Sequence, residues 1–144
     1  MKSTEVRRTT WKQARFRDAC SQDRRIVIAS STKALHLPYL GLEDVESQSG
    51  RILRFTSETV NGQGISTTFF FDQRHVLYGK LRPYLNKVAL PEREGRCTTE
   101  MIPLLPREGV DRHFLAWALR RTETVHAVMQ EKTGGRMPRA DMNI

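Results

Sequence analysis

A proline interrupts the most regular stretch of this chain, and that combination restricts the fold more than any other feature. From Val76 to Leu90 the sequence VLYGKLRPYLNKVAL alternates with a period of two. Leu77, Leu81 and Leu85 fall on one face; Tyr78, Lys80, Arg82, Tyr84 and Asn86 fall on the other. Such alternation describes a half-buried strand. Pro83 has no amide hydrogen to give to a ladder, so the strand has to lie at a sheet edge or break at a bulge there.

The remaining apolar runs are short. Ile26-Val27-Ile28-Ala29 is β-branched and bounded by charge and serine, as a short buried strand would be. Leu37-Pro38-Tyr39-Leu40 is extended, because the residue before a proline avoids the helical region. Gly50, Gly62 and Gly64 isolate Arg51–Phe55 as a strand between turns. The segments 65–71 and 97–105 also read as strands, the first for its Thr and Phe content. Trp11 is expected to anchor the core, and Arg17–Ser21 to form a short helical turn. Only one segment sustains a helical period. Asp111 can cap it, and Phe114, Leu115, Ala118, Leu119, Val125, Val128 and Met129 recur at three- and four-residue steps. Gly134-Gly135 and Pro138 then stop it. The expectation is an α+β fold in a single compact domain. It has a twisted, mostly antiparallel or mixed β-sheet, one long packed helix over about 111–132, and long charged loops.

Size and charge narrow the function. A chain of 144 residues supports one core. Its longest apolar run, Phe114–Leu119, is far short of the roughly 20 residues that span a bilayer. No signal-peptide core lies in residues 1–10, so a cytoplasmic home without membrane contact is expected. The formal net charge of +8 favours polyanions, since each cation placed near a phosphate releases condensed counterions. The excess is segregated into residues 1–25, 72–96 and 132–144, which suggests one basic face built from three segments.

The polar face Tyr78/Lys80/Arg82/Tyr84/Asn86 is the sharpest constellation. Lys and Arg neutralise phosphates, Arg and Asn read base edges with two hydrogen bonds, and Tyr stacks or donates. An ordinary solvated strand face remains the competing interpretation. The glycine pair beside Arg136 and Arg139 can approach a phosphate closely, or can simply cap a helix and lead into a basic tail. Gly62-Gln63-Gly64 lacks the Gly-Lys-Ser/Thr ending of a phosphate loop. The histidines are scattered, and Cys20 and Cys97 are too few for a disulfide framework or a zinc site. No motif for a cofactor or for methyl transfer is present. Asp72, Glu100 and Lys80 would have to assemble into a metal-dependent nuclease centre without the compact acidic pair such a centre uses. Binding, not catalysis, is the expectation; a small nuclease or a basic protein-docking module are the alternatives.

Five blocks then carry a family resemblance. HLPYLGLEDVES (His36–Ser47), the GIS of Gly64–Ser66, DQRHVLYGKLRPYLNKVALP (Asp72–Pro91), CTTEMIPLLP (Cys97–Pro106) and GGRMPRADMNI (Gly134–Ile144) occur in order across nearly the whole chain. They resemble a target recognition domain of a type I restriction–modification specificity subunit, most specifically through VLYGKLRPYLNK. The resemblance implies a non-catalytic module that reads one half of a bipartite double-stranded DNA target. Its implied partners are a modification (methyltransferase) subunit and, through it, a restriction subunit. The family pattern continues into a spacer helix and a second recognition domain. Residues 1–144 are therefore expected to be a single recognition domain lacking both, with a second specificity half-subunit as a further partner.

Blocks shared between recognition domains of different specificity are expected to hold the DNA backbone: Lys80, Arg82, Tyr84, Asn86 and Lys87, with Arg136 and Arg139. Sequence choice is expected in the divergent segments 17–36 and 47–64, where Arg51, Arg54, Asn61 and Gln63 can read purine edges.

Overall fold

A computed structural model describes residues 14–28, 30–56 and 67–130. Two four-stranded sheets stack, and a pair of helices covers one of them. The first sheet has the order β1 (Cys20–Gln22), β8 (Met101–Pro106), β5 (Val76–Gly79), β6 (Val88–Ala89), and all its pairs are antiparallel. The second has the order β2 (Ile26–Ile28), β4 (Thr67–Phe71), β7 (Gly95–Cys97), β3 (Tyr39–Leu40). Its pairs are antiparallel except β3 with β7. The α+β class and the mixed pairing agree with the sequence; the sheet is two sheets, not one.

The alternation in β5 explains the layering. Val76 and Tyr78 point into a core with Leu104, Leu115, Leu119 and Val128, under the helices. Leu77 points the other way, into a core between the sheets with Leu40, Phe69, Phe71, Cys97 and Met101. All four residues of β5 are buried. Sequence alternation suggested one wet face, but β5 lies between two layers, and the tyrosine serves as a core residue there. Burial pushes the Tyr78 phenol well above its ordinary pKa.

The proline acts as foreseen in part. The strand ends at Gly79, and Pro83–Leu85 form a 3₁₀ turn in which Pro83 occupies the first position, where its missing amide hydrogen costs nothing. Arg82 (φ 52°) and Asn86 (φ 53°) flank the turn in the left-handed region. The edge strand expected over 76–90 is therefore a tight hairpin, β5 to β6, with a structured loop.

Three further expectations are corrected. The strand at residues 26–29 is not buried: Val27 is enclosed, but Ile26 is 62% and Ile28 55% exposed, because β2 is an edge strand. Residues 51–55 contribute only isolated bridges, Val45 with Ile52 and Tyr39 with the adjacent Thr56. The single long helix is two helices, α3 (Arg112–Arg120) and α4 (Thr122–Gln130). Asp111 does cap α3, accepting from the Phe114 amide at 2.8 Å. Arg121 then turns to extended backbone (ψ 142°). The hydroxyl of Thr124 takes the Ala118 carbonyl at 2.6 Å, a competition with the helix that threonine is suited to make. The short helix near residue 17 is present as α1 (Phe16–Ala19), and α2 (Thr32–Leu35) covers the outer face of the second sheet at Val27 and Phe70. Trp11 and the glycine stop at 134–135 lie outside the described residues.

Candidate nucleic-acid interface

The hairpin loop sorts its polar residues into two groups. Arg82 and Tyr84 face solvent, with Tyr84 48% exposed. No carboxylate pairs with Arg82 among the described residues. Asn86 and Lys87 are turned inward. The Asn86 amide donates to Gln48 Oε1 at 3.0 Å and to the Arg120 carbonyl at 2.9 Å. Lys87 Nζ donates to the Leu42 carbonyl at 2.8 Å. Lys80 is half-buried at the end of β5, its amide donating to the Glu100 carbonyl at 3.0 Å. The constellation read as one strand face is thus divided: Tyr78 is in the core, Lys80 is half-buried and Asn86 holds the loop in place, while Arg82 and Tyr84 are presented. A groove of about 390 Å³ beside the loop has Arg82, Lys87, Tyr39, Glu43 and Glu100 among its lining residues.

Arg51 and Arg54 lie on a different feature. Arg51 pairs with Glu46 at 3.0 Å, and Arg54 with the buried Asp44 at 2.9 Å. Asp44 also accepts from the Gly41 amide, which fixes the turn beneath. Hydrogen bonds from Ser49 and Arg51 hold the Glu46 carboxyl below its usual range. Both arginines line a groove of about 560 Å³ together with Arg93 and Arg120. Asn61, Gln63, Arg136 and Arg139 lie outside the described residues.

The basic segment 72–96 does not act as one face. Arg74 is exposed but bound to Asp72, Lys87 is bound to Leu42, and Arg96 is buried, which leaves Arg82 and Arg93 exposed without a carboxylate partner among the described residues.

A row of cations and rings crosses the second sheet and was not singled out by sequence. Phe70 is registered with Arg96, and Arg96 with Tyr39. The Arg96 guanidinium lies 5.1 Å from the Tyr39 ring centroid, Arg25 lies 4.5 Å from that of Phe70, and Lys33 lies 5.3 Å from the same ring. Arg96 is 3% exposed and its Nε has no hydrogen-bond partner. Only the pairing of strands brings these residues together, so no local sequence signal announces them.

One register decides where the divergent segments meet. In the β2–β4 pair Ile28 lies opposite Thr67. The chain leaves β2 toward residues 30–36 directly beside the point where residues 57–66 deliver it into β4. The divergent segment 17–36 passes through β2 at this end, and Thr67 opens β4 three residues after the segment 47–64 ends; this end lies three residues (about 10 Å of strand) from the Phe70 position of the cationic row.

A buried histidine braces the opposite end of the β2–β4 pair. His75 is fully enclosed; the Asp72 amide donates to Nδ1 at 3.0 Å, so Nε2 carries the proton and donates to Asp23 at 2.8 Å. Hydrogen bonds from Arg74 hold the Asp72 carboxyl down to about 2. At Asp23 burial pushes upward, yet the hydrogen bonds from His75 and Arg25 leave it below its usual range. The group ties the β4–β5 turn to the β1–β2 connection. Both cysteines are buried thiols, Cys20 pushed up to about 11 and Cys97 further, which is the opposite of an activated nucleophile. Among the described residues no three His, Cys, Asp or Glu side chains are placed to hold a metal ion, and no helix is long and apolar enough to cross a membrane.

Comparison with solved structures shows that the two-sheet domain with its helical cover is a fold already known. It superposes on the HsdS subunit from Thermoanaerobacter tengcongensis with a TM-score of 0.71 at 18% identity, covering 90% of this chain and 34% of that one. A chain from a structure describing complex assembly and conformational transition of the type I R-M system gives 0.73 at 19% identity, with the same coverages. No family profile matches. In sequence, 88 residues are 32% identical to the type I restriction enzyme EcoDI specificity subunit of Escherichia coli, 60% of this chain and 19% of that protein. The chain is similar to type I restriction enzyme specificity subunits, and it spans about a fifth to a third of the length of the relatives it matches.

Proposed function

We propose that this domain recognises double-stranded DNA and reads one half-site for a type I restriction–modification complex, leaving the chemistry to a modification subunit and a restriction subunit. The observation that carries this reading is the 32% identity to a specificity subunit. The geometry supports a division of labour within it. Arg82 and Tyr84 on the hairpin loop, with Arg25 just before β2 and Lys33 on α2, supply cations and donors for phosphates, which position a duplex without selecting it. Asn61 and Gln63, in the segment that enters β4 beside Ile28, carry amides suited to adenine edges.

Fluorescence anisotropy with random duplexes across a salt series tests it. The wild-type chain should bind with a negative dependence of log K on log salt, and Arg82→Ala should reduce the magnitude of that slope by about one. Failure of the wild type to bind any duplex, or a slope unchanged by Arg82→Ala and by Lys33→Ala together, would contradict the assignment.

A further inference from the structure

The outer face of α3 exposes two large aromatic side chains that the DNA reading does not use. Phe114 is 50% and Trp117 55% exposed, and their rings form a tilted pair with centroids 5.6 Å apart. Arg121, one turn further on, places its guanidinium 5.2 Å from the Trp117 ring. Phe, Trp and Arg are among the residue types that concentrate binding energy at protein–protein contacts.

The larger groove takes part of its lining from the same helix, at Arg120. Arg120, next to Arg121 in the chain, lines that groove with Arg51, Arg54 and Arg93. Arg93 stacks on Phe55 at 5.6 Å and has no carboxylate partner among the described residues. Among the described residues the Arg120 guanidinium is hydrogen-bonded through the Val88 carbonyl, at 3.1 and 2.8 Å, and burial lowers its pKa. Ile52, Leu53, Phe55 and Leu90 supply apolar lining and Glu92 a single carboxylate, and Leu53 is 47% exposed.

We propose that the α3 ridge and the adjoining arginine groove form a docking surface for an acidic segment of a partner protein, one that alternates carboxylates with apolar side chains. The charge complementarity is set by Arg93 and Arg120, which have no carboxylate partner among the described residues, beside Arg51 and Arg54, which are paired with Glu46 and Asp44; the apolar lining and aromatic ridge need apolar counterparts. A DNA duplex offers the charge but not the rest: its bases are stacked inside and cannot cover Trp117. In this assignment Arg51 and Arg54 face protein rather than base pairs.

The test uses the full chain and three probes: a labelled amphipathic helix of Leu and Glu, the same helix with Lys for Glu, and a random DNA duplex. The Glu helix should bind, more weakly as salt rises, and the Lys helix should not. Trp117→Ala and Arg121→Glu, both at exposed positions, should each weaken the Glu helix by about tenfold or more while leaving duplex affinity unchanged. Equal binding of the two helices would overturn the proposal. So would a loss of duplex affinity in Trp117→Ala with the Glu helix unaffected. Self-association of the wild-type chain that Trp117→Ala abolishes would overturn it too, since the occupant would then be a second copy.

Discussion

Asn86 donates its side-chain amide to the backbone carbonyl of Arg120 at 2.9 Å, and so closes the break between α3 and α4 with a residue from the β5–β6 loop. The same amide reaches Gln48, and the Asn86 carbonyl accepts from the Gln48 amide at 3.0 Å. Three segments distant in sequence thus share one buried residue. Asn86→Ala removes both side-chain bonds and leaves a left-handed backbone without the residue that tolerates it. The expected loss is about 2–4 kcal/mol of folding stability in urea titration, with any fall in DNA affinity following from unfolding alone.

Arg82, in the same left-handed conformation, should behave in the opposite way. Its side chain is exposed, and glycine adopts φ 52° without strain. Arg82→Gly is predicted to keep or raise stability, by up to about 1 kcal/mol, while weakening binding to all duplexes alike. Paired measurement of the urea midpoint and of duplex anisotropy checks it.

The acid limb of stability should report on the His75 brace. Asp72 has a folded pKa near 2 against an ordinary 3.8, and Asp23 is shifted in the same direction. Each is depressed on folding, so its contribution is present above about pH 4 and is lost as pH falls toward 2. Urea midpoints measured down through that window should drop, and Asp72→Asn should flatten the part of the drop that belongs to Asp72.

Gly50 sits at φ 69°, and a Cβ there would lie 1.7 Å from the Val88 carbonyl oxygen and 2.7 Å from Arg120 Nη2. Gly50→Ala combines a left-handed backbone with a clash against main chain. It should cost at least about 2 kcal/mol and loosen the arginine groove, read as a lower melting temperature and weaker binding of the Leu/Glu helix.

Local patterns were legible in the sequence wherever one residue decides the outcome. Asp111 marked the start of a helix, Pro83 the interruption of a strand, and Leu77 the inward face of β5. What failed depends on tertiary neighbours. Tyr78 reads as a surface tyrosine until a second layer covers it, and the α3–α4 break needs Asn86, more than thirty positions upstream, to satisfy the freed carbonyl. For the same reason the site was half visible: the loop residues were found, but only Arg82 and Tyr84 among them are presented. The Phe70–Arg96–Tyr39 row exists only through strand register.

The central claim is that sequence choice resides in segments meeting where Ile28 faces Thr67, on a scaffold whose cations bind any duplex. Selection of bound duplexes from a random pool, with the chain co-expressed beside a modification subunit, tests it most directly. The wild type should enrich a short common element. Replacing residues 57–66 by a glycine–serine linker of equal length should abolish that enrichment while random-duplex affinity and its salt slope persist. Enrichment of the same element after the replacement, or of no element by the wild type, would contradict the account.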